Sequence, residues 1–174
     1  MQVWTRALFT MALALAACAS GKPVVFVEED VSLSSYRSVY VAEVGHFDRA
    51  PDIEVARSIA DKIRARLTEH GIALAKEQGA DGTVVLDGRL SRYAYGDAFE
   101  RWLIPGEGTT ECLVEGELRD GKTGSKLGVV LSFRTVSGGG LLGGLLSAGA
   151  GTWILETVAT DIADGIATQM KPTP

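Results

Sequence analysis

The chain has few of the side chains on which catalytic and metal sites usually depend. Its 174 residues include two cysteines and two histidines, and the sequence contains no HExxH, Cys-x-x-Cys or Gly-x-Ser-x-Gly motif. Such motifs hold metal ligands or a nucleophile at a fixed spacing, so their absence leaves no predicted catalytic, metal or cofactor site. We therefore expect a protein that is not an enzyme and that uses neither a metal nor a cofactor.

The two histidines offer one weak catalytic arrangement. His46 lies in a predicted loop two residues before Asp48, but no serine or cysteine nucleophile pattern accompanies this pair. His70 lies at the end of a predicted helix, where a positive charge interacts favourably with the helix dipole, so a capping role is expected. An envelope enzyme would require a cleft around His46 and Asp48.

Basic residues are also scarce. The chain has 17 Lys and Arg against 22 Asp and Glu, which gives a formal net charge of −5. Proteins that bind nucleic acids neutralise phosphates with clustered Lys and Arg, and no such cluster occurs here. We expect no nucleic-acid partner.

The amino-terminal apolar run is too short to span a bilayer. Residues 7–15 are uncharged, follow Arg6 and precede two small residues, Ala16 and Ala17. A membrane-spanning helix needs roughly 20 apolar residues, whereas this layout is typical of a bacterial secretory signal peptide. Residues 1–17 are therefore predicted to be a leader that is cleaved after Ala17.

The segment Leu15-Ala16-Ala17-Cys18 resembles the lipobox of bacterial lipoproteins. The resemblance implies that the thiol and the new amino group of Cys18 carry fatty acyl chains such as palmitate. Because two or more acyl chains hold a protein stably on a bilayer, the membrane is a predicted partner. Ala19 stands where an Asp favours inner-membrane retention, and this favours a lipid-anchored protein of the outer membrane that faces the periplasm.

The remaining chain is long enough for one domain with a sizeable core. We predict a flexible tether at 18–35, in which Val24–Val27 could add an edge strand, and a single α+β domain at 36–170. With Cys18 acylated, Cys112 has no disulfide partner. Cys112 lies in an alternating pattern and is predicted to be a small core residue.

Alternating and helical hydrophobic patterns define the predicted elements of this domain. Strands are predicted at 36–44, 71–76, 83–95, 109–120 and 125–136, and helices at 52–70 and 152–170. The predicted fold is a mixed, mainly antiparallel sheet of about five strands with two amphipathic helices on one face.

The last two strands are predicted to form a hairpin around the turn Asp120–Gly124. Strict alternation predicts one inward set in each strand, and it places Lys126 and Arg134 outward, near the glutamates of the partner strand. The predicted inward residues are Cys112, Val114, Gly116 and Leu118 in the first strand and Leu127, Val129, Leu131 and Phe133 in the second.

Two apolar segments are candidates for interaction. Phe99, Trp102 and Leu103 belong to a loop at 99–108 that either folds back on the core or forms a docking patch. The glycine-rich segment 137–151 carries no charge and lacks the Lys of a phosphate-binding loop. It is either a flexible connection that packs its leucines locally or a membrane or oligomer contact. Its apolar side chains are Leu141, Leu142, Leu145 and Leu146.

Several stretches together resemble a known family. They are YRSVYVAEV, ADGTVVLDGRLSRY, RWLIPGEGTTECLVEGELRDGKTGSKLG and SGGGLLGG, and they extend over residues 36–167. They resemble DUF4410, a family of bacterial lipoproteins and exported proteins with no established activity. The resemblance implies no catalytic residue.

The strand–helix–strand–strand opening is also similar to the small α/β domains of the curli-secretion lipoprotein and of the outer-membrane activators of peptidoglycan synthases. Those domains work through protein–protein contacts. The leading hypothesis is thus a periplasmic interaction or assembly module whose partner is an envelope protein, with homo-oligomerisation left open. The alternative is a small-molecule or lipid-binding lipoprotein with a pocket between sheet and helices, near Phe99–Ile104.

Overall fold

The computed structural model describes residues 24–46, 51–94, 96, 109–136 and 150–171. Within these ranges seven strands and two α-helices form one sheet and one helical layer. The elements are β1 (Val24–Val27), a 3-10 turn (Leu33–Ser35), β2 (Ser38–Val41), β3 (Gly45–His46), α1 (Pro51–Glu69), β4 (Ala73–Leu74), β5 (Thr83–Ala94), β6 (Thr110–Asp120), β7 (Lys126–Val136) and α2 (Ala150–Met170).

The strand order of the sheet is β1-β7-β6-β5-β2-β4, and β3 also pairs with β5. The pairings β1/β7, β6/β7 and β5/β6 are antiparallel, whereas β2/β5, β2/β4 and β3/β5 are parallel. The predicted α+β fold with two helices is confirmed. The sheet is mixed rather than mainly antiparallel, because the crossover through α1 returns the chain parallel to β2.

Helix α1 buries most of the apolar stripe that its sequence predicts: Ala56, Ile59, Ile63 and Leu67 are fully buried, whereas Ile53, predicted as the first residue of the stripe, is 42% exposed. The helix ends in a Schellman motif: Ile72 N–H donates to Leu67 O at 3.0 Å, and Gly71 N–H donates to Thr68 O at 2.9 Å. Gly71 has a φ of 76°, which a residue with a Cβ rarely adopts. This left-handed residue turns the chain back toward β4.

Helix α2 also buries the stripe that its sequence predicts. Ile154, Val158, Ile162 and Ile166 are fully buried, and they join the side chains of α1 and the inward side chains of the sheet in one core. Cys112, Val114 and Leu118 are buried on the inward face of β6, as predicted. The core therefore lies between one face of the sheet and the two helices.

A bulge in the β6/β7 hairpin changes which residues of β7 face this core. Leu118 lies opposite Gly128 but Arg119 lies opposite Lys126, so Leu127 is an extra residue. The prediction that Val129, Leu131 and Phe133 point inward was wrong, because the extra residue inverts the alternation beyond Leu127. Val130 and Ser132 are buried instead.

Strand β1 lies within the range that the sequence predicts as tether, and it is the edge strand that the sequence allowed there. It pairs with β7 over four residues, with Val24 opposite Leu131 and Val27 opposite Gly128. A Cβ on Gly128 would collide with the backbone of Phe26, and a Cβ on Gly165 would collide with the side chain of Val25. These two glycines allow β1 to approach both β7 and α2 closely.

Candidate interaction surfaces

The outward face of the sheet carries an apolar patch at its β1–β7 edge. Phe26, Leu131 and Phe133 are 59%, 40% and 40% exposed, and we call these three residues the β1–β7 patch. Phe26 lies opposite the half-buried Val129, and Phe133 lies opposite the half-buried Leu113. Contiguous exposed apolar side chains with a polar surround are typical of interaction surfaces.

Charged side chains cover the neighbouring part of the same face. Arg119 pairs with Glu117 at 2.6 Å, and Arg92 pairs with Glu111 at 2.9 Å. The outward side predicted for the glutamates of β6 is confirmed for Glu111 and Glu117. Because Arg119 and Glu117 are each 44% exposed, their pair contributes little to stability. Both pairs bound the β1–β7 patch on the β5–β6 side.

An ion pair lies on the inward side, where the sequence predicts no charge. Arg134 on β7 pairs with Asp161 on α2 at 2.5 Å. The prediction that Arg134 points outward was wrong, because the bulge at Leu127 inverts the strand. Burial raises the pKa of Asp161 above its usual value, although the hydrogen bond and the charge of Arg134 act to lower it.

Ser132 lies two residues before Arg134 on the same face of β7. It is fully buried, and its Oγ has no hydrogen-bond partner among the described residues. An unpaired buried hydroxyl costs free energy relative to a hydrated one. The inward face of β7 thus combines apolar residues, an unpaired hydroxyl and a charged pair.

A second polar cluster joins the carboxyl-terminal end of α1 to α2. Asp164 accepts hydrogen bonds from Arg66 Nε at 2.8 Å and contacts His70 Nε2 at 2.7 Å. The hydrogen bond from Arg66, followed by the one from His70, lowers the pKa of Asp164. His70 therefore links the two helices in addition to ending α1, and the cluster clamps the helices together.

The space between sheet and helices is almost filled in the described part of the chain. A small cavity of about 10 Å³ lies beside Gly88 and Gly116, under Ile63 and Ile162. This volume is enough for about one water molecule. The pocket required by the ligand-binding alternative is therefore absent from the described sheet–helix interface, while Phe99–Ile104 lies outside the described residues.

An open groove of about 290 Å³ runs beside the first half of α1. Glu43, Ile53, Arg57 and Arg64 line it. Arg64 is engaged with Val41 O at 2.9 Å and with Asp61 at 2.7 Å. The groove lies beside Glu43 and Val44, and its described lining includes no nucleophile, while the side chain of His46 and all of Asp48 lie outside the described residues. It gives no support to the hypothesis of an envelope enzyme.

More than half of the chain matches a known protein family. Residues 48–140 match DUF4410, which is described as a domain of unknown function, and the match spans more than half of the chain. The chain belongs to the DUF4410 family. The resemblance stated from the sequence is confirmed. No curated protein matches this DUF4410 chain.

Two solved structures of PelC share the fold of this DUF4410 chain at low sequence identity. A PelC variant dodecamer from Paraburkholderia phytofirmans is 18% identical, with a TM-score of 0.57 over 87% of this chain and 100% of that chain. A second PelC dodecamer from the same organism is 18% identical, with a TM-score of 0.52 over 83% and 98%. A DUF4136 family protein from Bacteroides thetaiotaomicron is 10% identical, with a TM-score of 0.47 over 87% and 98%.

Most predicted site residues of the DUF4410 chain lie outside the described residues. These are Ala17, Cys18, Phe99, Trp102, Leu103, Leu141, Leu142, Leu145 and Leu146. Cys112 is described: it is buried and unpaired, and burial raises the pKa of its thiol to about 12. It is thus the core residue that the sequence predicts, and not a reactive thiol.

The described residues show neither a membrane-spanning helix nor a group of metal ligands. No helix described there is both long and apolar enough to cross a membrane. No group of three or more His, Cys, Asp or Glu side chains converges there as metal ligands would.

The surfaces missed by sequence reasoning are the β1–β7 patch and the Arg134–Asp161 pair, and both depend on a bulge that has no clear sequence signature.

Proposed function

We propose that the protein is a lipid-anchored lipoprotein of the bacterial outer membrane that faces the periplasm. It acts as a protein-interaction or assembly module and performs no catalysis. The observation that carries the interaction role is the β1–β7 patch, an exposed apolar surface whose first residue, Phe26, lies eight residues after Cys18 and which is bounded by paired charges.

The anchor is the acylated Cys18, and the fold gives it a short connection to the body. Val24 is already paired with Leu131 in the sheet, so five residues, 19–23, separate the lipid from β1. A module held this close to the bilayer meets partners that lie at the membrane surface. The apolar loops with Phe99, Trp102 and Leu103, and with the leucines of 137–151, remain candidate contacts.

We further propose that the partner surfaces include a second copy of the chain. The two PelC structures that share the fold are dodecamers. Strand β1 is a sheet edge, so its outer side presents backbone groups that no described strand pairs with, next to Phe26. A head-to-tail contact that uses one such edge closes into a ring when its rotation permits.

The anchor is tested in cells by fractionation. The Cys18→Ser variant should leave the membrane fraction, because the acyl acceptor is lost. The matched control Cys112→Ser should stay in the membrane, and mass spectrometry of the wild-type protein should find an acylated amino terminus. A Cys18→Ser protein that is still bound to membranes would refute the anchor.

The oligomer is tested on the lipidated full-length protein in detergent. Light scattering after size-exclusion chromatography should give a mass of several chains. Phe26→Glu should reduce that mass, because a charge is introduced where apolar contact is proposed. Ala65→Glu, on the exposed side of α1, is the matched control and should leave the mass unchanged. A wild-type monomer, or equal effects of both variants, would disprove the homo-oligomer.

A further inference from the structure

The sheet has a second open edge on the side away from β1. There the outermost strand, β4, pairs only with Ser38 and Val39 at the start of β2, and Ala75 N–H donates to Val39 O at 3.0 Å just beyond it. Strand β3 pairs with β5 on its other side. No described strand pairs with the outer side of residues 41–46, which we call the β2–β3 edge.

Backbone groups of this edge point away from the sheet. Ala42 N–H donates to Leu86 O of β5 at 3.0 Å, so the backbone of Ala42 points inward along the sheet. Because successive residues of a strand point to opposite sides, Val41 presents its N–H and its C=O outward. Arg64 Nη2 donates to Val41 O at 2.9 Å, in the place where the N–H of a further strand would donate. For Val41 N–H the structure describes no acceptor.

A groove leaves room beside this edge. The open groove of about 290 Å³ has Glu43 and Val44 on its strand side and Ile53 and Arg57 on the side of α1. Extended segments add a strand to an exposed sheet edge in several kinds of binding domain, where hydrogen bonds between main chains supply the affinity. The chemistry of the β2–β3 edge therefore fits another β-strand.

Strand β1 has a matching open side. Glu28 N–H donates to Leu127 O at 2.9 Å, so the backbone groups of Glu28 and Phe26 point to β7, and those of Val25 and Val27 point outward. β1 is antiparallel to β7, and β7, β5 and β2 run in one direction. Between copies that share one strand axis, β1 and β2 are thus antiparallel.

One antiparallel register satisfies both edges. With Val27 of one copy opposite Val41 of the next, each N–H donates to the other's C=O. Side chains then lie on matching faces, because Val27 and Val41 pack against the core on the inward side, whereas Phe26 and Ala42 point outward and are opposite each other. β4 already occupies the outer side of Val39, so the incoming strand cannot slide in that direction.

Charges at the end of β1 also match this edge. The turn after β1 carries the exposed Glu29 and Asp30, which form no ion pair with the described residues. In this register the turn reaches the end of β4, where the exposed Lys76 likewise has no ion pair in the described part of the chain. Opposite charges across a contact favour the correct partner, and here they favour a second copy over an unrelated strand.

We propose that β1 of one copy adds as a strand to the β2–β3 edge of the next, with Val27 opposite Val41 and Phe26 opposite Ala42. This inference rests on the homo-oligomer proposed above and names the second surface of its head-to-tail contact. Arg64 releases Val41 O when the strand arrives, and the sheets of neighbouring copies become continuous. Because the two edges differ, copies add in one direction, as a closed ring requires.

The test is disulfide crosslinking of lipidated full-length protein in detergent, with Cys112→Ser as background and the Cys18 thiol acylated. In Phe26→Cys/Ala42→Cys, opposed Cβ atoms lie about 4.5–5.5 Å apart across the contact, close to disulfide geometry. Within one chain the two positions are separated by four strand spacings, roughly 19 Å. Mild oxidation should therefore give a ladder of more than two linked chains that reductant removes. The matched control Phe26→Cys/Ala65→Cys, with Ala65 on the exposed side of α1, should give no ladder.

The outcomes separate the two proposals. A wild-type monomer in light scattering would refute the homo-oligomer itself. An oligomer whose Phe26→Cys/Ala42→Cys variant forms no ladder would overturn the edge pairing while the homo-oligomer stands. So would abundant disulfide-linked dimers of Phe26→Cys alone, because β1 would then meet β1 of another copy.

A charge reversal provides the second test if the cysteine variants do not fold by circular dichroism. Lys76→Glu should raise the protein concentration at which half of the chains are assembled, because Glu29 and Asp30 of the neighbour then meet a like charge. Glu29→Lys/Lys76→Glu should restore assembly. An unchanged midpoint in Lys76→Glu, or no recovery in the double variant, would contradict this pairing of the edges.

Discussion

Arg134 and Asp161 form a 2.5 Å ion pair between β7 and α2, with side chains that are only 11% and 13% exposed. The pair links the outermost long strand to the terminal helix. A buried ion pair often adds little net stability, because both charges lose their hydration, but the loss of one partner leaves the other charge unpaired. The pair therefore fixes how α2 lies on the sheet more than it stabilises the fold.

This balance predicts an asymmetry between single and double variants. Arg134→Met should lower the free energy of unfolding by about 3–5 kcal/mol, because Asp161 remains buried without its partner. Arg134→Met/Asp161→Leu should recover most of this loss, since apolar side chains of similar size fill the site. Urea denaturation followed by circular dichroism measures both. If the double variant is as unstable as the single one, the ion pair itself adds substantial net stability, which would contradict the prediction.

Arg134 also marks the limit of sequence reasoning on this chain. Alternation correctly predicts the inward side of β6 and of β5 up to Leu90, because both follow an unbroken pleat there. In β7 the extra residue at Leu127 inverts every later position. A bulge depends on how two strands meet, and one strand's pattern does not contain that information.

The helices were predictable because their signals are local. The stripes that end at Leu67 in α1 and at Ile166 in α2 follow the period of a helix, and tertiary contacts only confirm them. The placement of β1 depended instead on two distant glycines, Gly128 and Gly165, whose role appears only when α2 and β7 meet. The β1–β7 patch could not be predicted either, because the bulge at Leu127 is what turns Leu131 and Phe133 outward.

The unpaired hydroxyl of Ser132 predicts an unusual response to truncation. Ser132→Ala should leave the melting temperature unchanged or raise it, because the lost hydroxyl has no described partner. Thr110 is equally buried, but its Oγ1 accepts a hydrogen bond from Gly96 N–H at 3.2 Å. Thr110→Val should therefore cost about 1–3 kcal/mol, because it leaves that N–H unsatisfied. Equal destabilisation by both variants in thermal unfolding would contradict the difference.

The close approach of α2 to β1 predicts a specific effect of Gly165→Ala. The new methyl group would meet Val25, so β1 must shift, at a cost of about 1–3 kcal/mol. Hydrogen exchange of the β1 amides that bond to β7 should accelerate more than that of β5 and β6. Gly79→Ala is the control, since its Cβ would meet no atom within 4 Å. Unchanged exchange in β1 would mean that α2 does not hold this strand.

The turn of the β6/β7 hairpin predicts how stability depends on acid. Asp120 accepts hydrogen bonds from Thr123 N–H at 2.7 Å, Lys122 N–H at 3.0 Å and Tyr36 Oη at 2.8 Å. The bond from Thr123 N–H, followed by that from Tyr36, lowers the pKa of this carboxyl. Because the folded-state pKa lies below the unfolded value of about 3.9, the resulting stability is present above that pH and is lost as the pH falls through the folded-state value.

Asp120→Asn should therefore be less stable than the wild type at pH 7. As the pH falls from 7 to below the folded-state pKa of Asp120, the variant should lose less free energy of unfolding than the wild type. Tyr36→Phe removes one of the four hydrogen bonds to Asp120, and it should lower stability at pH 7 while the bonds from Thr123 and Lys122 keep most of the acid dependence. Denaturant midpoints measured across this pH range check both variants. If Asp120→Asn loses as much stability in acid as the wild type does, other carboxylates account for the acid dependence and the turn is stable without the charge.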